Sequence, residues 1–142
     1  MGTQRKLIDA SVLIGLLNTK DKHHKKCVDF INKVSAANFT DSGVALVIPI
    51  HTFIEVNTKI RKLKNAGIWE GIRPFVSQGV EFYSLTRDLL EKIERANLYD
   101  VLGKLGSQDA IYAAIAFLEN IPLITLDKDF EKVKDIIKVE FI

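Results

Sequence analysis

Four acidic residues occupy junctions where apolar segments meet turns: Asp9 directly follows Leu7-Ile8, and Asp127 directly follows the run from Pro122 to Leu126. Glu55 lies just past Val44 to Ile48 and its closing Pro49, and Asp109 opens the apolar stretch Ala110 to Leu118. If these residues meet, two carboxylates about 5 Å apart repel by about 3 kcal/mol at an effective dielectric near 20. A divalent cation is the obvious counter-charge. A donor set of oxygens alone, with no supporting Cys and no helical His pair, favours Mg²⁺ or Mn²⁺ over Zn²⁺. Mg²⁺ also commonly binds phosphate oxygens while keeping several waters.

Whether the acids meet depends on the elements that carry them. Leu7-Ile8 reads as a short buried strand, and Val12 to Leu17 as a helix entered directly from it. From His23 to Ala37, Cys27, Phe30, Ile31 and Val34 recur at three and four, giving a helix with one buried face. Val44 to Ile48 is an uninterrupted apolar run, as in a strand covered on both sides. A helix beginning near Thr52 carries Phe53, Val56, Ile60 and Leu63 and stops at Gly67; Ile68 to Val76 reads as a shorter helix. Val80 to Leu85 is a third strand. Thr86 then caps a helix whose inner side is marked by Leu89, Leu90, Ile93, Ala96 and Asn97. Gly103 and Gly106 punctuate a loop, Ser107 stands where a cap is needed for the helix Ala110 to Leu118, and Pro122 to Leu126 is a fourth strand. A short helix around Phe130 and Val133 and a last strand, Val139 to Ile142, follow.

Strands alternating with helices imply a single α/β domain with a mainly parallel sheet of about five strands flanked by helices. Ligands in such sheets collect at the C-terminal edge of the strands. Asp9 and Asp127 belong to that edge because each follows a strand. The helix from Asp109 to Glu119 descends about 15 Å and the strand from Pro122 to Asp127 climbs back about 16 Å, so Asp109 ends level with Asp127. Glu55, expected in the first turn of its helix, belongs to the same edge.

Leu7-Ile8-Asp9-Ala10-Ser11, Thr52-Phe53-Ile54-Glu55-Val56, Ser107-Gln108-Asp109-Ala110-Ile111-Tyr112-Ala113-Ala114-Ile115-Ala116 and Ile124-Thr125-Leu126-Asp127-Lys128-Asp129-Phe130 resemble, in order and spacing, the signature segments of PIN-domain nucleases. The resemblance covers roughly Leu7 to Ile142, and the chain looks most similar to VapC-type toxins. It implies a parallel sheet flanked by helices and Mg²⁺- or Mn²⁺-dependent hydrolysis of RNA phosphodiesters. Asp9, Asp109 and Asp127 would then be metal ligands and Glu55 would hold a metal-bound water or a second ion. Asp129, two residues after Asp127, is placed to share or take over its role. Ser11 and Thr125 match hydroxyl positions that orient the acids or the phosphate. A homodimer and a cognate antitoxin partner, with a basic residue of the antitoxin tail inserted among the acids, are also implied.

Structural duties compete for the same residues. Thr52 and Glu55 have the spacing of a capping box, Asp109 suits the helix dipole in the turn after Ser107, and Asp127 can cap the helix that follows. Asp9 alone has no evident structural duty. Basic runs at Lys20, Lys22, His23, His24, Lys25 and Lys26 and at Lys59, Arg61, Lys62 and Lys64 would serve RNA phosphates, or be ordinary solvated helix faces. His23 and His24 are adjacent, make a poor metal pair and read as surface residues. Cys27 reads as core, and Trp69 as core or partner surface.

Composition narrows the classes. Twenty Lys and Arg against eighteen Asp and Glu, a formal charge of +2, identify no polyanion partner. One cysteine excludes an intramolecular disulfide, the N-terminus lacks the pattern of a secretory signal, and no apolar run approaches membrane-spanning length, so a cytoplasmic location is expected. Lys6 stands where a myristoylation motif wants Ser or Thr. Alternatives to a toxin are a PIN nuclease of RNA processing and a catalytically inactive RNA- or protein-binding PIN module, the latter opposed by the presence of all four acids. A phospho-aspartate enzyme is disfavoured because Asp9-Ala10-Ser11 lacks a second acid.

Overall fold

The computed structural model describes residues 4–38, 43–62 and 80–142, with backbone alone at 35–38 and 60–62. The elements run β1 (Gln4–Ile8), α1 (Ala10–Leu17), α2 (His24–Asn38), β2 (Val44–Pro49), α3 (Ile50–Lys62), β3 (Val80–Tyr83), α4 (Arg87–Arg95), α5 (Tyr99–Leu102), α6 (Ser107–Glu119), β4 (Leu123–Thr125), a 3₁₀ helix (Lys128–Val133) and β5 (Val139–Phe141). The strands form one sheet in the order β3-β2-β1-β4-β5. Every neighbouring pair is parallel.

Apolar residues on both faces of each central strand explain this arrangement. Leu7, Val47 and Leu123 pack into one core with Tyr112, Ile115 and Phe130, while their strand neighbours Ile8, Ile48 and Ile124 pack into a second core with Val12, Leu13, Cys27 and Ile31. Successive strand residues point to opposite faces, so each strand has to feed two cores. The chain leaves β1 toward β2 and β3, then crosses back to place β4 on the other side of β1. The order therefore reverses between β1 and β4, and in open parallel sheets the crevice beyond such a reversal is where ligands bind.

Several local details differ from the sequence expectation. Helix α3 starts at Ile50, directly after Pro49, so Thr52 is inside the helix and Glu55 is in its second turn rather than its first. Helix α6 starts at Ser107 with Gly106 at its cap position, and no side chain caps it; the expected Ser107 cap does not form. The third strand ends at Tyr83 instead of Leu85. Thr86 does cap α4, its Oγ1 accepting from the Leu89 amide at 3.2 Å. Leu89 and Ile93 face the core, but Leu90, Ala96 and Asn97 are exposed. Asn97 takes φ 52, and the chain turns there to bury Leu98, with the Leu98 amide donating to the Ile93 carbonyl. Residues Tyr99–Leu102 form an extra helical turn before the expected loop. The expected helix Ile68 to Val76 and the stop at Gly67 lie outside the described residues.

Gly15 sits where α1 meets α2, and a Cβ built on it would lie 2.5 Å from the sulfur of the fully buried Cys27. A short buried side chain cannot yield that space, so the overpacking cost outweighs the helix propensity that alanine adds. Gly15→Ala should lower stability by about 1 to 3 kcal/mol. Adding Cys27→Ala should recover part of the loss, giving a favourable coupling in a double-mutant cycle of denaturant unfolding. A Gly15→Ala protein as stable as wild type would contradict the packing.

Candidate active site

At the reversal point β1 pairs with β4, Ile8 opposite Ile124, and the residues just beyond them line a cleft of about 380 Å³. Asp9 is only 3% exposed there. The Ser11 hydroxyl donates to its Oδ1 at 2.6 Å, the Thr125 hydroxyl donates to its Oδ2 at 2.6 Å, and the Val12 amide donates to Oδ1 at 3.4 Å. Ser11 Oγ in turn accepts from the Leu126 amide at 3.1 Å, and Thr125 Oγ1 from the Asp127 amide at 2.9 Å. Each hydroxyl thus commits its proton to Asp9 and a lone pair to the chain leaving β4. Asp9 also caps α1, so the expectation that it has no structural duty is corrected. Burial pushes its carboxyl from 3.8 up to about 6; the hydroxyl and amide donors oppose that rise and the charge of Asp109 adds to it.

Asp109, in the first turn of α6, and Asp127, at the cap of the 3₁₀ helix, reach the same cleft. Burial raises the Asp109 carboxyl above its ordinary value, repulsion from Asp127, Glu55 and Asp129 raises it further, and Lys59 opposes. Asp127 accepts the Asp129 amide at 2.9 Å, the capping duty foreseen for it. Asp109, Asp127 and Asp129 each present a carboxylate oxygen within 4.8 Å of the others. Asp129 is exposed and does not line the cleft, so Asp109 and Asp127 are common to the cleft and to this tight group.

Glu55 lines the cleft from α3. The capping-box alternative fails: Thr52 is fully buried and shares a 2.7 Å hydrogen bond with the Tyr112 hydroxyl, which ties α3 to α6. Glu55 Oε1 instead accepts from Lys59 at 3.2 Å, and Oε2 is buried without a hydrogen-bond partner. An orphaned carboxylate oxygen, two further acids made harder to ionise by burial and repulsion, and a donor set of oxygens alone fit a hard divalent cation.

The four sequence-selected acids therefore share one cleft. Asp21, His23 and Tyr112 line it too and were not singled out for it. His23, expected at the surface, is half-buried, and its amide donates to Asp21 Oδ1 at 2.7 Å. An Asp two residues before His23, which directly precedes α2, is the available signal for that turn. His24 is half-buried as well, its Nδ1 2.9 Å from the Gly15 carbonyl oxygen. Tyr112 lies in an otherwise apolar helix stretch, which signals a buried hydroxyl in need of a partner. His51, with both ring nitrogens unpartnered, tilts against Tyr112 at 4.7 Å between ring centroids, and burial lowers its pKa. Of the expected RNA-contacting residues Lys59 lines the cleft, while the side chains of Arg61 and Lys62 lie outside the described ones.

A fold of this topology with acids gathered at the reversal point belongs to a recognisable class. The PIN domain family model matches residues 6–136, and the chain belongs to the PIN domain family. Among solved structures it is similar to VapC20 of Mycobacterium tuberculosis, described as a sarcin-ricin loop cleaving toxin, at 18% identity and a TM-score of 0.68 over 90% of this chain and 94% of that one. It is also similar to VapBC2 of Rickettsia felis bound to a DNA fragment from their promoter, at 15% identity and a TM-score of 0.63 over 97% and 98%. PAE2754 of Pyrobaculum aerophilum matches at 23% identity and a TM-score of 0.55 over 96% and 92%. No curated protein matches in sequence. Among the described residues no helix is long and apolar enough to cross a membrane.

Asp9 gives a pH signature. Its carboxyl is easier to protonate in the folded chain than in the unfolded one, so its stabilising contribution is complete below 3.8 and is lost as pH rises through about 6. In chelator, Asp9→Asn should flatten the dependence of unfolding free energy on pH across that window by roughly 2 to 3 kcal/mol. Parallel curves for wild type and variant would show that Asp9 ionises without strain.

Proposed function

We propose that this chain is a metal-dependent endoribonuclease and the toxin of a toxin–antitoxin pair, acting in the cytoplasm on RNA phosphodiesters. The observation that carries the reading is the convergence of Asp9, Glu55, Asp109 and Asp127, from four separate segments, on one cleft at the reversal point of a parallel sheet. The match to the PIN family and the similarity to a sarcin-ricin loop cleaving toxin support it. The similarity to VapBC2 supports a cognate antitoxin as partner. A homodimer is the assembly this reading expects.

Asp9, Asp109 and Asp127 would hold Mg²⁺ or Mn²⁺, with Glu55 offering its unpartnered Oε2 and Asp129 close enough to Asp109 and Asp127 to contribute. Such a cation, when bound, lowers the pKa of a coordinated water and neutralises charge developing on the phosphate. Ser11 and Thr125 fix the plane of the Asp9 carboxylate. Lys59, with Arg61 and Lys62 further along α3, would contact phosphates of the RNA strand and make its affinity salt-dependent.

Incubation with a panel of structured and single-stranded RNAs tests the reading. Cleavage should appear with Mg²⁺ or Mn²⁺ and vanish in excess chelator. Asp9→Asn and Asp109→Asn should each lower turnover by about two or more orders of magnitude while leaving RNA affinity largely intact. Undiminished cleavage in chelator, or near-normal turnover in both variants, overturns the assignment. Growth arrest relieved by a small neighbouring open reading frame separates a toxin from a processing nuclease.

A further inference from the structure

Among the described residues the carboxylates of the cleft share its lining with one lysine. Asp9, Asp21, Glu55, Asp109 and Asp127 line it together with Lys59, which lies one helical turn beyond Glu55 on α3. Lys59 Nζ is 3.2 Å from Glu55 Oε1; the Glu55 side chain is 14% exposed and that of Lys59 is 55% exposed. The carboxylate is thus the packed member of the pair and the ammonium the one with room to move. Its reach extends past Glu55, because the charge of Lys59 also eases the upward push on Asp109.

We propose that Lys59 is a tethered counter-ion of the metal-free cleft, which holds one oxygen of Glu55 until a divalent cation enters and is then released toward the incoming phosphodiester. The proposal rests on the reading of the cleft as a metal site. The ammonium end of this pair is exposed, which weakens it, so it yields readily to a divalent ion. A cation among the acids repels the neighbouring ammonium, and the flexible four-carbon stem lets the ammonium leave at little cost. Once displaced it carries donors and no acceptor, so a phosphate oxygen of the substrate is the partner it fits. Lys59 would then both limit the strain of the empty cleft and couple metal binding to substrate binding.

Calorimetric titration of Mn²⁺ alone, without RNA, into wild type, Lys59→Met and Lys59→Arg tests the proposal. Lys59→Met, which keeps the stem and removes the charge, should bind Mn²⁺ about three- to tenfold more tightly than wild type, and Lys59→Arg should stay within about twofold. In chelator Lys59→Met should melt below wild type, and it should gain more from saturating Mn²⁺. Equal or weaker Mn²⁺ affinity in Lys59→Met, or no loss of melting temperature in chelator, overturns the counter-ion role and leaves the nuclease reading standing. A wild-type protein that binds no Mn²⁺ overturns both.

Discussion

The burial of one carboxylate between the ends of two adjacent parallel strands is the constraint on which this structure turns. Asp9 has almost no contact with water, yet both its oxygens are held, by a hydroxyl two residues ahead and by a hydroxyl at the end of β4. A buried carboxylate without such donors would be costly. The same two hydroxyls accept amides from the chain leaving β4, so the network that solvates Asp9 also aims Asp127. Strand register, acid orientation and the start of α1 are one set of hydrogen bonds.

That network satisfies Asp9 without neutralising it, and the surroundings add charge of the same sign. The charge of Asp109 makes Asp9 harder to ionise, and Asp109 itself is burdened by burial and by Asp127, Glu55 and Asp129. The rest of the fold supplies the rigidity that keeps these groups from moving apart. Both faces of β1, β2 and β4 are packed, and the Thr52–Tyr112 bond ties the helix carrying Glu55 to the helix carrying Asp109. Repulsion held by packing is a usual mark of a site prepared for a cation.

The sheet and the site were legible to different degrees, for physical reasons. Runs such as Val44 to Ile48 and Pro122 to Leu126 announced buried parallel strands, and with them the edge where Asp9 and Asp127 stand. Local choices were harder. Ser107 lost the cap position because the helix began at it, and Thr52 was drawn from an apparent capping box into a buried bond with a residue sixty positions away. Leu90 and Asn97 fit the helical period on paper, but the left-handed turn at Asn97 gave the core position to Leu98. His23 entered the cleft wall through the turn at Asp21, which depends on tertiary placement rather than on periodicity.

The two acids after β4 show how far geometry alone can separate roles. Asp127 uses Oδ1 to accept the Asp129 amide, which fixes its carboxylate against the 3₁₀ helix with the second oxygen uncommitted among the described residues. Asp129 is exposed, and its nearest countercharge is Lys132 at 3.8 Å. A carboxylate with one oxygen anchored and one open has lost most of its rotational freedom before any cation arrives, whereas Asp129 would have to give up solvent and conformational entropy on binding. Preorganisation therefore favours Asp127 as the acid that faces Asp9 and Asp109. Asp129 is better suited to the outer side of the cluster, where it raises the negative potential at Asp109.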